Sequence, residues 1–597
     1  MPAATRYLRA ASLFGIILFF LAFAWPGLNA WFTGDDLMNI QKLHGYFTTP
    51  LSRVVLDAVN PLTSAYRPMG GLFYRLLYAL VGFHPLPFRI ACMILLVVNL
   101  LLAYRLQRLL ARSTAAALIG TLLFSYHAEM YGLYFNTGTV YDILCFTFVA
   151  LALILYVRRR RKEGGLGTAA WVGLLALDLL ALQSKEMAWT LPAMLFLYEA
   201  LYFGLRREGI LRRMAPVAAT GLLTLAPLFP RILGPTGLVS SPLYYPNLSA
   251  SYLLESYARY WGLVFYAPAL PVAGMLALWA GMAAAAWLLR SRAMAFGLLF
   301  AIVTMAPVAV ILFRGGYVLY LPMLGLALYG GCLAGHLYER LAPWKSGAPR
   351  LVSWACLFGL LGAGLAVAHS RHRNVYADTV HIQNETRLLV EQLRLLHPTM
   401  ERNSRVLFVE DPFEGEWFLG FMLRLMYNDP TLWADSASNH PHVRPYRYVF
   451  RYAGGKLEEL PPRLVACTPQ TLSPGVTDDA SPLVCWDGDW TSQRFPHALE
   501  GTLTYASDPG AAVTIVFEGT SLDYVCTRAY NRGLAEVTID GVPQGPIDLY
   551  APEVMWQSVF EFPHLSAGRH VATLRLLGRH NPAATDSIVD VDAFRVK

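Results

Sequence analysis

Residues 139–162 read TVYDILCFTFVALALILYVRRRRK. The apolar part of this stretch spans about 20 residues, the length with which a helix crosses the hydrocarbon core of a bilayer. A basic run at 158–162 follows it, and Lys and Arg concentrate on the cytoplasmic side of membrane proteins. The stretch therefore predicts a membrane-spanning helix with a cytoplasmic C-terminal end, whose other end carries an acid, Asp142.

Comparable apolar runs continue from the N-terminus to about residue 369 and are absent from the sequence beyond it. Of the 597 residues, 55% are hydrophobic and 15% are charged, whereas a soluble globular chain carries about 25% charged residues. This composition excludes disordered, fibrous and small disulfide-rich proteins. We predict a polytopic α-helical membrane domain over residues 1–370 with about eleven spans, near 10–28, 86–104, 114–126, 139–157, 167–183, 187–204, 214–233, 268–289, 293–312, 317–335 and 351–368.

Basic residues mark every second connection between these spans, which indicates the orientation of the chain. They are Arg6, Arg9, Arg105, Arg108, Arg112, the run 158–162, Arg206, Arg207, Arg212, Arg213, Arg290, Arg292, Arg340, Lys345 and Arg350. We therefore expect an integral protein of the cytoplasmic membrane with a cytoplasmic N-terminus and an external C-terminal region. The first span could instead be a cleaved signal peptide, but an anchor preserves the alternation. The net charge of +8 then requires no nucleic acid.

The external loops carry an unusual set of charges. The first one, residues 29–85, begins with Trp31-Phe32-Thr33-Gly34-Asp35-Asp36. Adjacent carboxylates at a membrane interface need solvation, a partner or a function. Asp36 could cap a following helix, but capping requires only one of the two acids.

Further charges accompany them on the external side. Arg67 closes the first loop, Asp178 lies within the span at 167–183, and the ends of later spans carry Glu129, Asp142, Lys185, Glu186 and Arg314. Asp178 and Lys185 are two helical turns apart and could pair on one face. Each charge alone is explained as well by a structural ion pair as by a function, but their accumulation on one membrane face favours a functional site.

These motifs resemble the GT-C superfamily of membrane glycosyltransferases, in particular the protein O-mannosyltransferase branch. The similar pieces are Gly34-Asp35-Asp36, Arg67-Pro68, His127-Ala128-Glu129 with Asp142, Ser184-Lys185-Glu186 with Leu191-Pro192, and Arg314 ahead of Leu319-Tyr320-Leu321-Pro322. Ala128 stands where that branch usually has Pro. Together the matches cover roughly residues 25–330.

The resemblance implies a glycosyltransferase that passes a sugar from a polyprenyl-phosphate donor, with inversion, to a glycan or protein acceptor outside the membrane. It implies Asp35 or Asp36 as the general base, with Glu129, Glu186 and Asp142 as secondary acids. In some relatives the acids bind a divalent cation, so Asp35 and Asp36 are the candidate ligands for Mg²⁺ or Mn²⁺. A third ligand is missing from the sequence pattern, and no metal is assigned.

Cations are needed for the departing phosphate, and Arg67, Lys185 and Arg314 are the candidates. Arg314 is the best of them, because the adjacent Gly315-Gly316 would let a lipid headgroup approach the backbone. Interfacial snorkelling is the alternative explanation for Arg314. Two other functions remain open: a transporter of glycans or lipid carriers, which would need paired gates and often repeats, and a catalytically inactive sugar-binding protein.

The region beyond residue 370 has an ordinary soluble composition. Over 371–490 we predict a small α/β unit, with helices at 375–396 and 417–426 and strands at 405–409 and 446–450. Three external cysteines, Cys467, Cys485 and Cys526, lie where disulfides persist, and Cys467–Cys485 is the favoured pair.

Alternating apolar residues and an Asp540-Gly541 turn predict a β-sandwich over 491–597. This stretch resembles the galactose-binding-like jelly-roll modules found as accessory carbohydrate-binding domains. The similar pieces are Phe517-Glu518-Gly519-Thr520-Ser521, Asn531-Arg532-Gly533-Leu534-Ala535, Ile539-Asp540-Gly541, Gly568-Arg569-His570 and Val591-Asp592-Ala593-Phe594. The resemblance implies the fold more strongly than the ligand, and Tyr530, Arg532 and Trp556 are the residues that could bind a sugar.

Overall fold

The computed structural model describes residues 3–204, 210–227, 230–231, 244–341, 348–413, 416–437, 446–462 and 469–597. It divides the chain into two compact units, residues 1–387 and 388–597. The division falls seventeen residues after the predicted boundary at 370, within a helix at Ala377–Leu396 that continues into the second unit.

The first unit is helical throughout its described residues. Its helices are α1 (Ala3–Ala24), α2 (Gly34–Met38), α3 (Leu51–Val59), α4 (Pro68–Val81), α5 (Pro85–Ala111), α6 (Thr114–Ser125), α7 (Gly132–Phe135), α8 (Val140–Glu163), α9 (Thr168–Leu182), α10 (Leu191–Phe203), α11 (Ile210–Leu225), α12 (Ala250–Val264), α13 (Val272–Leu288), α14 (Arg292–Ala309), α15 (Tyr320–Leu341), α16 (Ala348–Arg371) and α17 (Ala377–Leu396).

Six helical segments are long and apolar enough to cross a membrane. They are Tyr7–Asn29, Pro85–Ala111, Thr137–Lys162, Arg292–Ala309, Gly316–Arg340 and Val352–Arg371. The helices at the other predicted spans within the described residues are shorter, and the predicted span 214–233 falls partly outside those residues. The prediction of about eleven spans is therefore confirmed for six of them. The other predicted spans correspond to shorter helices, because an apolar run in the sequence does not fix where its helix ends.

Aromatic packing joins three helices in the centre of this unit. Phe124 of α6, Phe146 of α8 and Tyr320 of α15 contact one another, with ring centroids 4.8 to 5.1 Å apart. All three rings are buried, and aromatic pairs at such distances add to the stability that burial provides. The packing holds the start of α8 close to the start of α15, where two of the predicted charged motifs lie.

The second unit begins with an α/β part. Strands β1 (Arg405–Glu410), β2 (Trp433–Ser436), β3 (Tyr448–Ala453) and β4 (Lys456–Leu460) form a sheet in the order β2-β1-β3-β4. β1 is parallel to both of its neighbours, and β4 pairs antiparallel with β3. Helix α18 (Glu416–Tyr427) follows β1. The two helices and two strands predicted for this region are all present, within three residues of the predicted bounds.

The rest of the second unit consists of β-sheets that share one hydrophobic core. A six-stranded sheet has the order β13-β12-β15-β10-β5 with β7 beside β10, a four-stranded sheet has the order β14-β11-β17-β6, and a three-stranded sheet has the order β16-β9-β8. The strands are β5 (Thr471–Leu472), β6 (Gly475–Asp478), β7 (Cys485–Asp487), β8 (Thr491–Arg494), β9 (Thr502–Ala506), β10 (Ala512–Gly519), β11 (Leu522–Arg528), β12 (Gly533–Ile539), β13 (Val542–Asp548), β14 (Met555–Phe562), β15 (Gly568–His580), β16 (Val589–Val591) and β17 (Ala593–Val596).

Alternation in the sequence matches this core. Val513, Ile515 and Phe517 of β10 point into it, and Ala572, Leu574 and Leu576 of β15 do the same. The Asp540-Gly541 turn joins β12 to β13, as predicted. Strands β5 to β7 pair with the sandwich sheets, so the sandwich starts about twenty residues before the predicted boundary at 491. Cys467 lies outside the described residues, and its pairing with Cys485 stays a prediction.

Candidate active site

The adjacent acids of the first loop occupy different environments. Asp36 is completely buried and its carboxylate is surrounded by donors. One oxygen accepts hydrogen bonds from the Thr33 amide at 2.8 Å and the Thr33 hydroxyl at 3.1 Å, and lies 3.3 Å from a guanidinium nitrogen of Arg89. The other oxygen accepts from the hydroxyls of Tyr74, at 3.4 Å, and Thr137.

This network explains why Asp36 is needed structurally. Thr33 is the N-cap of α2, its hydroxyl accepts from the Asp36 amide, and Asp36 returns a hydrogen bond to the Thr33 amide. The pair is a capping box, which satisfies two backbone donors of the first turn. The suggestion that Asp36 itself caps a helix was wrong in position, because the capping residue is Thr33. Because its carboxylate binds all of these donors, Asp36 stabilises the conformation of the loop.

Asp35 remains accessible. It is exposed, and a side-chain amide of Asn136 donates to it at 3.4 Å. The surrounding protein removes part of its hydration and, with the neighbouring Asp36, raises the pKa of Asp35, while Asn136 and the Arg314 guanidinium oppose the rise. A reachable carboxylate with a raised pKa is suited to accept a proton. Of the two acids, Asp35 has the properties of a general base.

Arg67 is held at the start of α4. It adopts a left-handed backbone conformation with φ of 41° directly before Pro68, the first residue of the helix. Gly70, one turn into α4, lies so close to the Tyr141 ring that a side chain there would overlap it. The Arg67 guanidinium stacks 5.2 Å from that ring and donates to both carboxylate oxygens of Glu186, at 3.1 and 2.6 Å. Burial alone would raise the pKa of Glu186, but Arg67 outweighs it and holds the pKa below its usual value.

Lys185 forms the second ion pair of the site. Its ammonium lies 2.6 Å from both oxygens of Asp142, and both side chains are buried. The predicted pairing of Lys185 with Asp178 is therefore wrong, because the start of α8 supplies the partner. Asp178 is fully buried, and neither of its carboxylate oxygens has a hydrogen-bond partner among the described residues. The Lys185 ammonium also lies over the Tyr317 ring, 5.1 Å from the ring centroid.

Arg314 precedes the turn that leads into α15. Its guanidinium stacks 4.0 Å from the Tyr244 ring, and its backbone amide donates to the Tyr260 hydroxyl at 3.1 Å. Gly316 packs directly on the backbone carbonyl of Glu129, where a side chain would clash. That glycine therefore serves the contact between two chain segments, a role the sequence did not indicate.

One cavity of about 430 Å³ brings the three predicted cations together, although they are more than a hundred residues apart in sequence. Arg67, Lys185 and Arg314 line it together with Glu186, and most of the remaining wall is apolar. The apolar and aromatic residues of the wall are Met187, Trp189, Tyr244, Pro246, Ala306, Pro307, Val308, Val310, Ile311, Tyr317 and Val318. Such a lining suits a ligand with a charged head and a long apolar tail. Glu129 does not line this cavity.

A buried network that the sequence did not indicate lies between the acid pair and Arg67. The Tyr141 hydroxyl donates to the Asn39 side-chain oxygen at 2.7 Å, and His44 contacts the same hydroxyl at 2.8 Å. Asn39 in turn contacts Tyr74, which contacts Asp36. Burial, Arg75 and Arg67 lower the pKa of His44 to about 3, so this histidine is neutral. The signal in the sequence that could have indicated this network is the group of polar and aromatic residues in the first external loop, which includes Asn39, His44 and Tyr74.

The residues present do not fit a divalent cation held by the acid pair. The described residues contain no group of three or more His, Cys, Asp or Glu side chains that could hold a metal ion. Asp36 is already engaged by Arg89 and by hydroxyl donors, and a metal ligand must have a lone pair free for the ion. Only Asp35 retains that capacity.

The predicted sugar-binding residues of the second unit differ in exposure. Tyr530 is 52% exposed. Trp556 is half-buried beside Phe495 and His497, with ring centroids 5.6 and 5.7 Å away. Arg532 instead donates to the buried Asp590 carboxylate at 2.5 Å. That ion pair gives Arg532 a structural role, while Tyr530 and Trp556 stay candidates for sugar contacts.

Comparisons with known proteins give a family model, a curated relative and solved structures that are similar to parts of this chain. The family model described as dolichyl-phosphate-mannose-protein mannosyltransferase matches residues 63–233, a range that includes Arg67, Asp142 and Lys185. A curated relative, the A type blood N-acetyl-alpha-D-galactosamine deacetylase of Flavonifractor plautii, is 32% identical over 117 residues, which are 20% of this chain and 14% of the deacetylase. The chain thus spans about a seventh of that relative's length.

Two solved structures are also similar. ArnT from Cupriavidus metallidurans bound to undecaprenyl phosphate is 16% identical, with a TM-score of 0.41 over 73% of this chain and 86% of ArnT. The archaeal oligosaccharyltransferase AglB from Archaeoglobus fulgidus is 12% identical, with a TM-score of 0.40 over 72% of this chain and 65% of AglB. Residues 63–233, less than a third of the chain, are therefore similar to the dolichyl-phosphate-mannose-protein mannosyltransferase family.

Proposed function

We propose that this protein transfers a sugar from a polyprenyl-phosphate donor to an acceptor on the external side of the membrane, with inversion at the anomeric carbon. The observation that carries the proposal is the cavity in which Arg67, Lys185 and Arg314 meet an apolar wall. A polyprenyl phosphate has an anionic head and an apolar tail, and this cavity offers complementary surfaces for both.

In the proposed reaction Asp35 accepts the proton of an acceptor hydroxyl as its oxygen attacks the anomeric carbon. The bond between that carbon and the phosphate oxygen breaks, and the lipid phosphate leaves with the electron pair. Arg67 and Lys185 are partly neutralised by Glu186 and Asp142, so they are pre-positioned without an excess of buried positive charge. Together with Arg314 they stabilise the charge that develops on the phosphate.

The proximity of Arg314 to Asp35 supports a single site. Its charge is one of those that act on the Asp35 carboxyl, and its side chain lines the cavity. In this proposal the donor sugar would sit between the Asp35 carboxylate and the Arg314 guanidinium. A sugar contact at Tyr530 and Trp556 would add acceptor binding by the second unit.

The test compares Asp35→Asn with Asp36→Asn in the full-length protein, using undecaprenyl-phosphate mannose as the first donor probe. We expect Asp35→Asn to retain donor binding and to lose transfer by roughly 10² to 10⁴-fold, the usual contribution of a general base. Asp36→Asn should instead lower the folded yield, because it removes the charge that pairs with Arg89 and replaces one of two acceptor oxygens with an amide group that would face donors. The exposed Asp378→Asn is the matched control.

A second measurement separates binding from chemistry. Arg314→Gln should weaken retention of undecaprenyl phosphate, whereas Asp35→Asn should not. Full transfer activity in the Asp35→Asn variant would refute the proposed base. Unchanged lipid retention in the Arg314→Gln variant would refute the proposed donor cavity, and net movement of the lipid across vesicles without transfer would favour a transporter.

A further inference from the structure

A second cavity lies at the opposite end of helix α14 from the candidate active site. Its volume is about 600 Å³, and it is formed where α13 ends and α14 begins. Residues at the C-terminal end of α14, such as Pro307 and Val308, line the candidate donor cavity, while Arg292 and Leu299 line this one. The eighteen residues of α14 span about 27 Å, close to the thickness of a hydrocarbon core. The two cavities therefore lie at opposite membrane interfaces.

The wall of the second cavity combines two guanidinium groups with apolar surface. Arg290 and Arg292 line it, and no acidic side chain does so among the residues that the structure describes. Trp287 and Leu288 are 77% and 68% exposed, and Leu298 and Leu299 complete the apolar side. Large exposed apolar side chains at the end of a membrane helix are solvated by lipid, and Trp favours the headgroup level.

We propose that this cavity binds the phosphate headgroup of an anionic phospholipid from the bilayer. The charges of Arg290 and Arg292 complement a phosphate, and basic pockets between membrane helices on the cytoplasmic side are suited to anionic lipid headgroups. The apolar wall would contact the acyl chains, which a soluble phosphate lacks. The predicted orientation puts this end of α14 on the cytoplasmic side, where basic residues predominate.

Binding here would act on α14 from the end remote from the donor cavity. Arg292 also donates to the backbone carbonyl of Tyr202, near the end of α10, at 3.0 Å. A lipid phosphate between Arg290 and Arg292 would therefore tie the ends of α10, α13 and α14 together. The ligand is structural lipid, distinct from the polyprenyl-phosphate donor.

The test measures retained lipid by native mass spectrometry of the full-length protein, purified from membranes and exchanged into phosphatidylglycerol or phosphatidylcholine. We expect wild type to retain phosphatidylglycerol in preference to phosphatidylcholine. The Arg290→Gln/Arg292→Gln variant should retain it roughly 30-fold more weakly, since each basic residue near an anionic lipid contributes about 1 kcal/mol. The matched control is Arg105→Gln/Arg158→Gln, which removes two exposed basic residues from the same predicted face without changing the cavity.

Two further variants guard against a general loss of folding. Arg290→Gln alone leaves the Arg292 contact to Tyr202 intact. Ala283→Phe fills the cavity without removing a charge, and it should also lower retention. Equal retention by wild type and the double variant would overturn the proposal, as would binding of inorganic phosphate in place of the lipid. Retention of undecaprenyl phosphate should be unchanged in these variants, so a failure here is separate from a failure of the proposed donor cavity.

Discussion

At the scale of single residues, the acid pair shows how neighbours of the same type take different roles. Asp36 is bound by the Thr33 cap, the Arg89 guanidinium and two hydroxyls, and its burial is compensated by these partners. Asp35 instead accepts a hydrogen bond from the Asn136 side-chain amide and keeps access to solvent. If Asp35 is the proposed base, this contrast accounts for the two adjacent acids: Asp36 stabilises the loop, and Asp35 accepts the proton.

The charges around Asp35 predict a shift in the pH dependence of transfer. A base must be deprotonated, so activity falls as the pH drops through the pKa of Asp35, which burial and Asp36 raise. Arg314 lowers that pKa, so Arg314→Gln should move the acid limb of the kcat profile to higher pH. The pH at the midpoint of this limb is measured with undecaprenyl-phosphate mannose as the donor. The midpoint can be read even though Arg314→Gln also lowers the maximal rate.

Arg53→Gln is the control for this measurement, because Arg53 is a surface residue paired with Asp57 and is not among the charges that act on Asp35. Its acid limb should coincide with that of wild type. An Arg314→Gln profile that keeps the wild-type limb would show that the Arg314 charge does not reach the base.

At the scale of elements, short segments outside the spans position most of the candidate site. The loop between α1 and α5 folds into α2, α3 and α4, and it carries Asp35, Asp36 and Arg67. Backbone conformation and close packing set these side chains, as the left-handed Arg67 before Pro68 and the contact of Gly70 with Tyr141 illustrate. Such segments gain their shape from partners that are distant in sequence.

The hairpin between β12 and β13 gives a test of backbone geometry in the second unit. Gly541 has φ of 77°, a conformation that costs an L-residue about 1 to 2 kcal/mol. Gly541→Ala should therefore lower the unfolding temperature of the second unit. Limited proteolysis of the full-length protein at increasing temperature measures this. The matched control is Gly420→Ala in α18, where a Cβ meets no atom within 4 Å and should be neutral or stabilising. Equal effects of the two substitutions would contradict this account.

At the scale of the whole molecule, the chain combines a membrane unit with a second unit of α/β and β-sandwich parts. Two cavities at opposite ends of α14 give the membrane unit a candidate chemical face and a candidate lipid-binding face. In the predicted orientation the basic connections lie on the cytoplasmic side, and the acids Asp35, Asp142 and Glu186 lie on the external side.

This division predicts the topology of the protein in cells. Protease added to intact spheroplasts should remove a C-terminal tag and leave an N-terminal tag, because the positive-inside pattern retains the N-terminus in the cytoplasm. Both tags should be lost after permeabilisation, which is the control. Loss of the N-terminal tag in intact spheroplasts would reverse the predicted orientation.

The sequence alone determined the class of the protein and much of its organisation. Apolar length and the spacing of basic residues identify a membrane domain, because crossing a bilayer imposes both, and alternation identifies the sandwich strands, because each strand buries one face. The motifs predicted a resemblance to the protein O-mannosyltransferase branch, and a mannosyltransferase family model matches residues 63–233. Tertiary structure alone decided which acid is anchored, which carboxylate pairs with Lys185, and that three distant cations share one cavity. Those outcomes depend on contacts between segments far apart in the chain, which no local pattern encodes.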